Sequence, residues 1–215
     1  SVPHVKYKIC LVVVRPRRTV IYETMFAVDM YTGMRQSEIM GLTWDRVDFK
    51  GGTIYIDRQL IHEKKKGGVY KFGPLKNDKP RRITPPPSVM KMLGAVRIRQ
   101  KEEKLRAGGA WQNPLNLVFT DALGGHFCHN TVSHNFKRIV TAIGLPDRRF
   151  HDLRHTYAVL AIQSGVDIKT VQESLGHHTA AFTLDVYGHV TENMQKEAAS
   201  RMEAFITRQN GGKKS

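Results

Sequence analysis

Two periods of apolar and polar residues alternate along this chain, and the switch between them outlines a fold. Over residues 19–31 apolar side chains stand at Val20, Ile21, Met25, Val28 and Met30, close to the 3.6-residue repeat of a helix with one buried face. The run stops at Gly33, a residue type that ends helices because it enters left-handed backbone conformations cheaply. Residues 36–42 predict a second, short helix, with Ser37 as a candidate cap and Glu38 in its first turn. Arg35 therefore falls at a helix-to-helix junction, where a side chain is aimed with little freedom.

A period of two follows. Residues 47–49, a Lys50-Gly51-Gly52 turn and the stretch Thr53-Ile54-Tyr55-Ile56 are β-rich, and residues 60–61, 69–72 and 82–84 continue the pattern. They predict a small antiparallel sheet with long hairpin arms. Pro85-Pro86-Pro87 ends it, since proline has no N–H for a ladder, and Ser88 is placed to cap a helix running to about residue 106. Gly108-Gly109 breaks that helix. Residues 116–120 predict a brief strand, as do 9–14 near the start, and 130–143, 152–164, 168–175, 180–186 and 192–208 predict helices between glycine or proline turns. The expected class is α+β, mainly helical, with a small antiparallel sheet and hairpin and no internal repeat.

Charge narrows the choice of partner. The 215 residues include 34 Lys and Arg against 19 Asp and Glu, a formal net charge of +15, far beyond what solubility needs and indicative of a polyanion. Nucleic acid leads, with an anionic membrane surface second. Much of the charge gathers on residues 62–82, where Lys64, Lys65, Lys66, Lys71, Lys76, Lys79, Arg81 and Arg82 face only Glu63 and Asp78. Such a run is either a solvated basic loop or a finger lining a DNA groove, and the global charge favours the finger. No apolar run approaches the roughly 18 to 20 residues needed to span a bilayer. Cys10 and Cys128 belong to no closely spaced metal-ligand pattern or disulfide framework, which gives a reducing, cytoplasmic compartment as the expectation, with no metal and no cofactor.

Candidate chemistry lies downstream. His151-Asp152-Leu153-Arg154 is followed by Leu175-Gly176-His177, and Tyr187 stands ten residues after that histidine. Cleaving a phosphodiester without a metal calls for cationic donors on the nonbridging oxygens, a nucleophile, a base and an acid. Arginine suits the first task, because its planar fork binds two phosphate oxygens and keeps its charge. Arg35 and Arg154 are the candidates.

Taken together, Thr32-Gly33-Met34-Arg35-Gln36-Ser37-Glu38-Ile39-Met40-Gly41-Leu42 with Trp44, then His151-Asp152-Leu153-Arg154-His155-Thr156, then Leu175-Gly176-His177 with Tyr187, resemble the three conserved boxes of the tyrosine recombinases, the phage and conjugative-transposon integrase family. The resemblance runs from about residue 19 to 190. It implies site-specific recombination through a 3′-phosphotyrosyl intermediate, with Tyr187 as nucleophile, Arg35 and Arg154 as phosphate clamp, His151 as proton acceptor and His177 on the phosphate. It implies a general-acid lysine on a hairpin similar to Leu75-Lys76-Asn77-Asp78-Lys79-Pro80-Arg81-Arg82; Lys76 occupies the matching place and Lys79 is the rival. Glu38, one turn after Arg35, either orients that arginine or acts as a helix-start carboxylate.

The implied partners are double-stranded DNA attachment sites and, in a full-length protein, a homotetramer of copies on two duplexes, with a monomer expected for this piece. Residues 1–215 are expected to be one catalytic domain, core 19–190 and tail 191–215, with the core-binding and arm-binding domains outside it. Three other readings stay open. His151 and His155 share the i, i+4 spacing of a metal-binding helix, although Asp152 stands where zinc hydrolases carry Glu. A DNA-binding regulator without catalysis would explain the charge but not the tyrosine. A type IB topoisomerase would share the chemistry.

Overall fold

The computed structural model describes residues 20–63, 69–76, 79–176, 200, 202 and 203; the expected strand at 9–14 and helix at 180–186 lie outside these residues, as does most of the expected helix at 192–208. Helix α1, Val20–Thr32, and the short α2, Gln36–Met40, match the first two expected elements. The cap of α2 differs from expectation. Arg35, with extended backbone, is the N-cap, and its own N–H donates to Glu38 Oε2 at 2.9 Å. Ser37 lies inside the helix and its hydroxyl is paired with His129 Nε2 at 3.0 Å.

The strands form two sheets where one was expected. β1, Val47–Asp48, β2, Thr53–Ile56, and β5, Arg81–Ile83, make an antiparallel sheet in the order β1-β2-β5, with Ile54 opposite Ile83. Among the described residues β3, Gln59–Glu63, and β4, Val69–Gly73, pair with each other alone, Ile61 opposite Lys71. The reason is topological. Once β2 has closed on β5, the residues between them can only leave as a hairpin, and the alternation of side chains cannot distinguish an extended arm from a fourth and fifth strand.

Helix α3, Pro87–Ala107, starts one residue before Ser88, so proline at its first turn does the work expected of the serine. The expected strand at 116–120 is only a bridge between Thr43 and Leu117. Its carbonyls are taken by side chains: the Gln100 carboxamide donates to Leu117 O at 3.0 Å and Val118 O at 2.7 Å, and Asn113 Nδ2 donates to Leu117 O at 3.0 Å. Backbone groups satisfied in this way have no need of a ladder. Helices α4, His129–Ala142, α5, Asp152–Gln163, and α6, Ile168–Leu175, fall within a residue of expectation.

One core joins α1, the sheet, α3 and α4. Met25, Val28, Leu93, Val118, Phe119, Val132 and Phe136 are buried in it, and Phe26, Phe136 and Phe150 meet edge to face at 5.2–5.7 Å between ring centroids. A small second cluster, Ala158, Ile162, Val171 and Leu175, holds α6 on α5. Gly33 brings the two together. Its φ is +63°, and a Cβ there would stand 2.5 Å from a Tyr157 ring carbon and 2.7 Å from a Leu175 methyl. A side chain at this turn would push α5 and α6 away from the start of α2.

Candidate active site

Arg35, at the junction of α1 and α2, donates from Nη1 to Glu38 Oε1 at 2.8 Å. Glu38 is therefore both things the sequence left open: it takes the N–H that opens α2 and it holds the arginine side chain. Its carboxylate is 1% exposed and Arg35 18%, so the carboxylate is sealed while the guanidinium keeps an edge toward solvent.

Arg154 comes from the first turn of α5, more than a hundred residues later. Its guanidinium is buried, 2% exposed, and donates from Nη1 to the Gly33 carbonyl and from Nη2 to the Leu175 carbonyl. These two carbonyls end α1 and α6, where helices leave acceptors unpaired and carry partial negative charge. One arginine thus ties the first box to the third. Burial pulls its pKa down to about 9, with Arg35 and Arg81 pushing the same way and Glu38 and Asp29 opposing; it stays protonated at neutral pH.

His151 stands just before α5, exposed, with its ring edge to face with His155 at 5.0 Å. Its pKa is lowered, first by partial burial, then by His155, Arg154 and Arg35, against the pull of Asp152. It is neutral at physiological pH, the state a proton acceptor requires. Among the described residues no group of three or more His, Cys, Asp and Glu is arranged to hold a metal ion, so the His151–His155 pair gains no third ligand there.

Two residues were not anticipated in their actual places. Arg81, expected among the DNA contacts, is 8% exposed; it donates to Glu38 Oε2 at 2.6 Å and to the Ser174 carbonyl at 2.7 Å. Nothing in a basic hairpin sequence singles out one arginine for burial. Asp29, two turns into α1, is fully buried and neither carboxylate oxygen has a hydrogen-bond partner among the described residues. Burial raises its pKa well above the ordinary value, Glu38 adds to this and Arg154 opposes it. The signal for Asp29 was present: Met25, Val28, Asp29 and Thr32 lie at i, i+3, i+4 and i+7, one stripe facing the core.

The remaining expected residues lie on the outside. Lys76 is exposed on a turn that follows buried Leu75, and Lys79 is exposed near the base of β5; neither makes an ion pair or hydrogen bond among the described residues. Lys71 pairs with Glu63 at 3.0 Å across the hairpin, and Arg82 donates to Thr53 Oγ1 at 3.0 Å and lies over the Tyr55 ring. His177, Tyr187, Lys64, Lys65 and Lys66 lie outside the described residues.

Three guanidiniums, Arg35, Arg81 and Arg154, thus surround one ionised carboxylate, with Asp29 held toward its neutral form. The cluster carries surplus positive charge beside a neutral imidazole, an arrangement able to bind an anion and accept a proton next to it. Residues 15–194 match the model of the phage integrase family. The chain is 34% identical over 194 residues to a tyrosine recombinase XerC-like protein of Caldanaerobacter subterraneus subsp. tengcongensis, covering 86% of this chain and 50% of that protein. It is 24% identical over 212 residues to the ICEBs1 integrase of Bacillus subtilis, covering 89% and 51%. The chain spans about half the length of these curated relatives. In fold it is similar to the Tn1549 transposon integrase in complex with transposon right end DNA, with a TM-score of 0.76 at 19% identity over 94% of this chain and 65% of that one. It is also similar to the catalytic domain of bacteriophage HP1 integrase, with a TM-score of 0.57 at 19% identity over 93% and 92%. By this match the chain belongs to the phage integrase family, the tyrosine recombinases.

Proposed function

We propose that this protein cleaves and rejoins double-stranded DNA at specific attachment sites, in the integration or excision of a mobile element, with no metal or nucleotide cofactor. The observation that carries the reading is the meeting of Arg35 and Arg154, from distant parts of the chain, around buried Glu38 and beside a neutral His151. Residues 19–190 form the catalytic core.

The Tyr187 oxygen attacks the scissile phosphorus, and the bond from phosphorus to the 5′-oxygen breaks. Arg35, Arg154 and His177 hold the nonbridging oxygens as charge builds on them. His151 receives the phenolic proton. Lys76 gives a proton to the departing 5′-oxygen, with Lys79 as the alternative donor. The 3′-phosphotyrosyl ester conserves the energy of the broken bond, and attack by a 5′-hydroxyl on a new partner reverses each transfer. Four copies acting on two duplexes complete an exchange. The basic arm from Lys64 to Arg82, with Lys65, Lys66 and Lys71, adds contacts to the DNA backbone, and the reaction takes place on DNA in the bacterial cytoplasm.

The test is a library of nicked duplexes with randomised sequence, incubated with the protein and screened for adducts that survive denaturation. An adduct formed by the parent chain and lost in Tyr187→Phe supports the reading. Tight binding without an adduct on any duplex makes the protein a DNA-binding regulator, and relaxation of supercoiled plasmid by the chain alone points to a topoisomerase.

A further inference from the structure

Glu38 serves two arginines at once, and they are not equivalent. Oε1 accepts from Arg35 Nη1 at 2.8 Å and from Arg81 Nη1 at 3.3 Å, while Oε2 accepts from the Arg35 N–H at 2.9 Å and from Arg81 Nη2 at 2.6 Å. Arg81 is locked on its other side. Its Nε donates to the Ser174 carbonyl at 2.7 Å, and Gly176, in left-handed conformation at φ +64°, leaves room for it: a Cβ there would approach Arg81 Nη1 to 3.2 Å. Among the described residues the Arg35 side chain is bonded to Glu38 alone, and it keeps an edge open to solvent.

A clamp arginine that also neutralises a buried carboxylate faces a conflict. When its open edge grips a phosphate, Arg35 divides its charge between two anions, and a buried carboxylate left with only part of a counter-charge is strongly unfavourable. A second cation that never leaves removes the conflict. We propose that Arg81 is the standing counter-ion of Glu38, a positioning residue that frees Arg35 to engage the scissile phosphate while the carboxylate stays compensated.

This rests on the reading of the site as a phosphate clamp, but part of it is open to test without DNA. The largest influences holding the Glu38 pKa down against burial are the bond and charge of Arg81, ahead of Arg35; Asp29 and Arg154 are the other charged groups facing the cluster. Carboxyl NMR titration of Glu38 in the full chain should show a larger upward shift in Arg81→Gln than in Arg35→Gln. A larger shift in Arg35→Gln, or none in Arg81→Gln, overturns the assignment.

The second arm uses a duplex recovered from the adduct library. Single-turnover cleavage should fall about 30- to 100-fold in Arg81→Gln, with binding changed less than about threefold, and Arg81→Lys should recover part of the loss. Adding Glu38→Gln to Arg81→Gln removes the uncompensated charge, so the double variant should cleave and resist heat better than Arg81→Gln alone. Losses that simply multiply in the double variant would mean that Arg81 is only a strut, and the proposal fails. If the parent chain yields no duplex at all, the functional reading fails, whereas the titration still decides the counter-ion.

Discussion

Arg154 and Lys76 carry the same charge and are proposed for the same phosphate, yet the fold treats them in opposite ways. Arg154 is 2% exposed, bonded to the ends of α1 and α6 and surrounded by Arg35, Arg81, Glu38 and Asp29. Lys76 is exposed on a turn beside buried Leu75. The contrast follows from the two tasks. A clamp must present fixed charge to a transition state and gains from being set before the substrate arrives. A lysine that delivers a proton has to reach a leaving oxygen that moves away, and a strongly hydrated ammonium on a flexible stem is suited to that. Stability and catalysis should therefore be coupled at the first residue and separable at the second.

The largest expected effect comes from breaking the buried side. Arg154→Gln should lower cleavage by about 10³-fold and also lower the unfolding free energy by about 3 kcal/mol, because the Gly33 and Leu175 carbonyls lose charged donors. Kinetics together with thermal melting checks both halves, and a variant that melts normally would break the contrast. Lys76→Ala should approach the same kinetic loss, about 10²- to 10³-fold, with stability unchanged within about 0.5 kcal/mol. Lys79→Ala should cost less than about tenfold; the reverse order would move the acid to Lys79.

His151→Gln should cost about 10²-fold and abolish the acid limb of the pH–rate profile. In the parent chain that limb should lie below the ordinary histidine value of about 6.5, because the folded pKa is depressed. The same sign governs folding: the contribution of neutral His151 is complete above 6.5 and fades as pH falls through the folded value.

Asp29 gives a smaller effect of opposite sign. Its folded pKa is raised, so its contribution to stability is complete below about 3.9 and is lost as pH rises through the folded value. Asp29→Asn should accordingly stabilise the protein by about 1 kcal/mol at pH 8 and by less near pH 4, measured by denaturant titration. Least of all, Lys71→Ala should reduce the slope of log affinity against log salt by about one, since its pair with Glu63 is exposed and contributes little to the fold.

Legibility in the sequence divides along similar lines. Helices α4, α5 and α6 were readable because each repeats apolar residues on one face, as Val132, Phe136 and Val140 do. Residues 116–120 have the sequence of a strand without forming one, because residue type reports the preference for extended backbone, not which groups will satisfy it; Gln100 and Asn113 do so here. The site residues Arg35, His151 and Arg154 were named by their motifs, yet no motif told which cation would be sealed in.

The sequence by itself determined the elements, the excess of positive charge and the set of chemical groups, because periodicity, composition and motif spacing are local properties of a chain. Only the tertiary structure decided that Arg81 turns inward to Glu38 while Arg82 beside it faces solvent, that Asp29 is buried with no hydrogen-bond partner among the described residues, and that the carbonyls of Gly33 and Leu175 converge on Arg154. Those outcomes depend on residues 21 to 121 positions apart meeting in one place, and burial and charge compensation are settled only when such separated segments pack together.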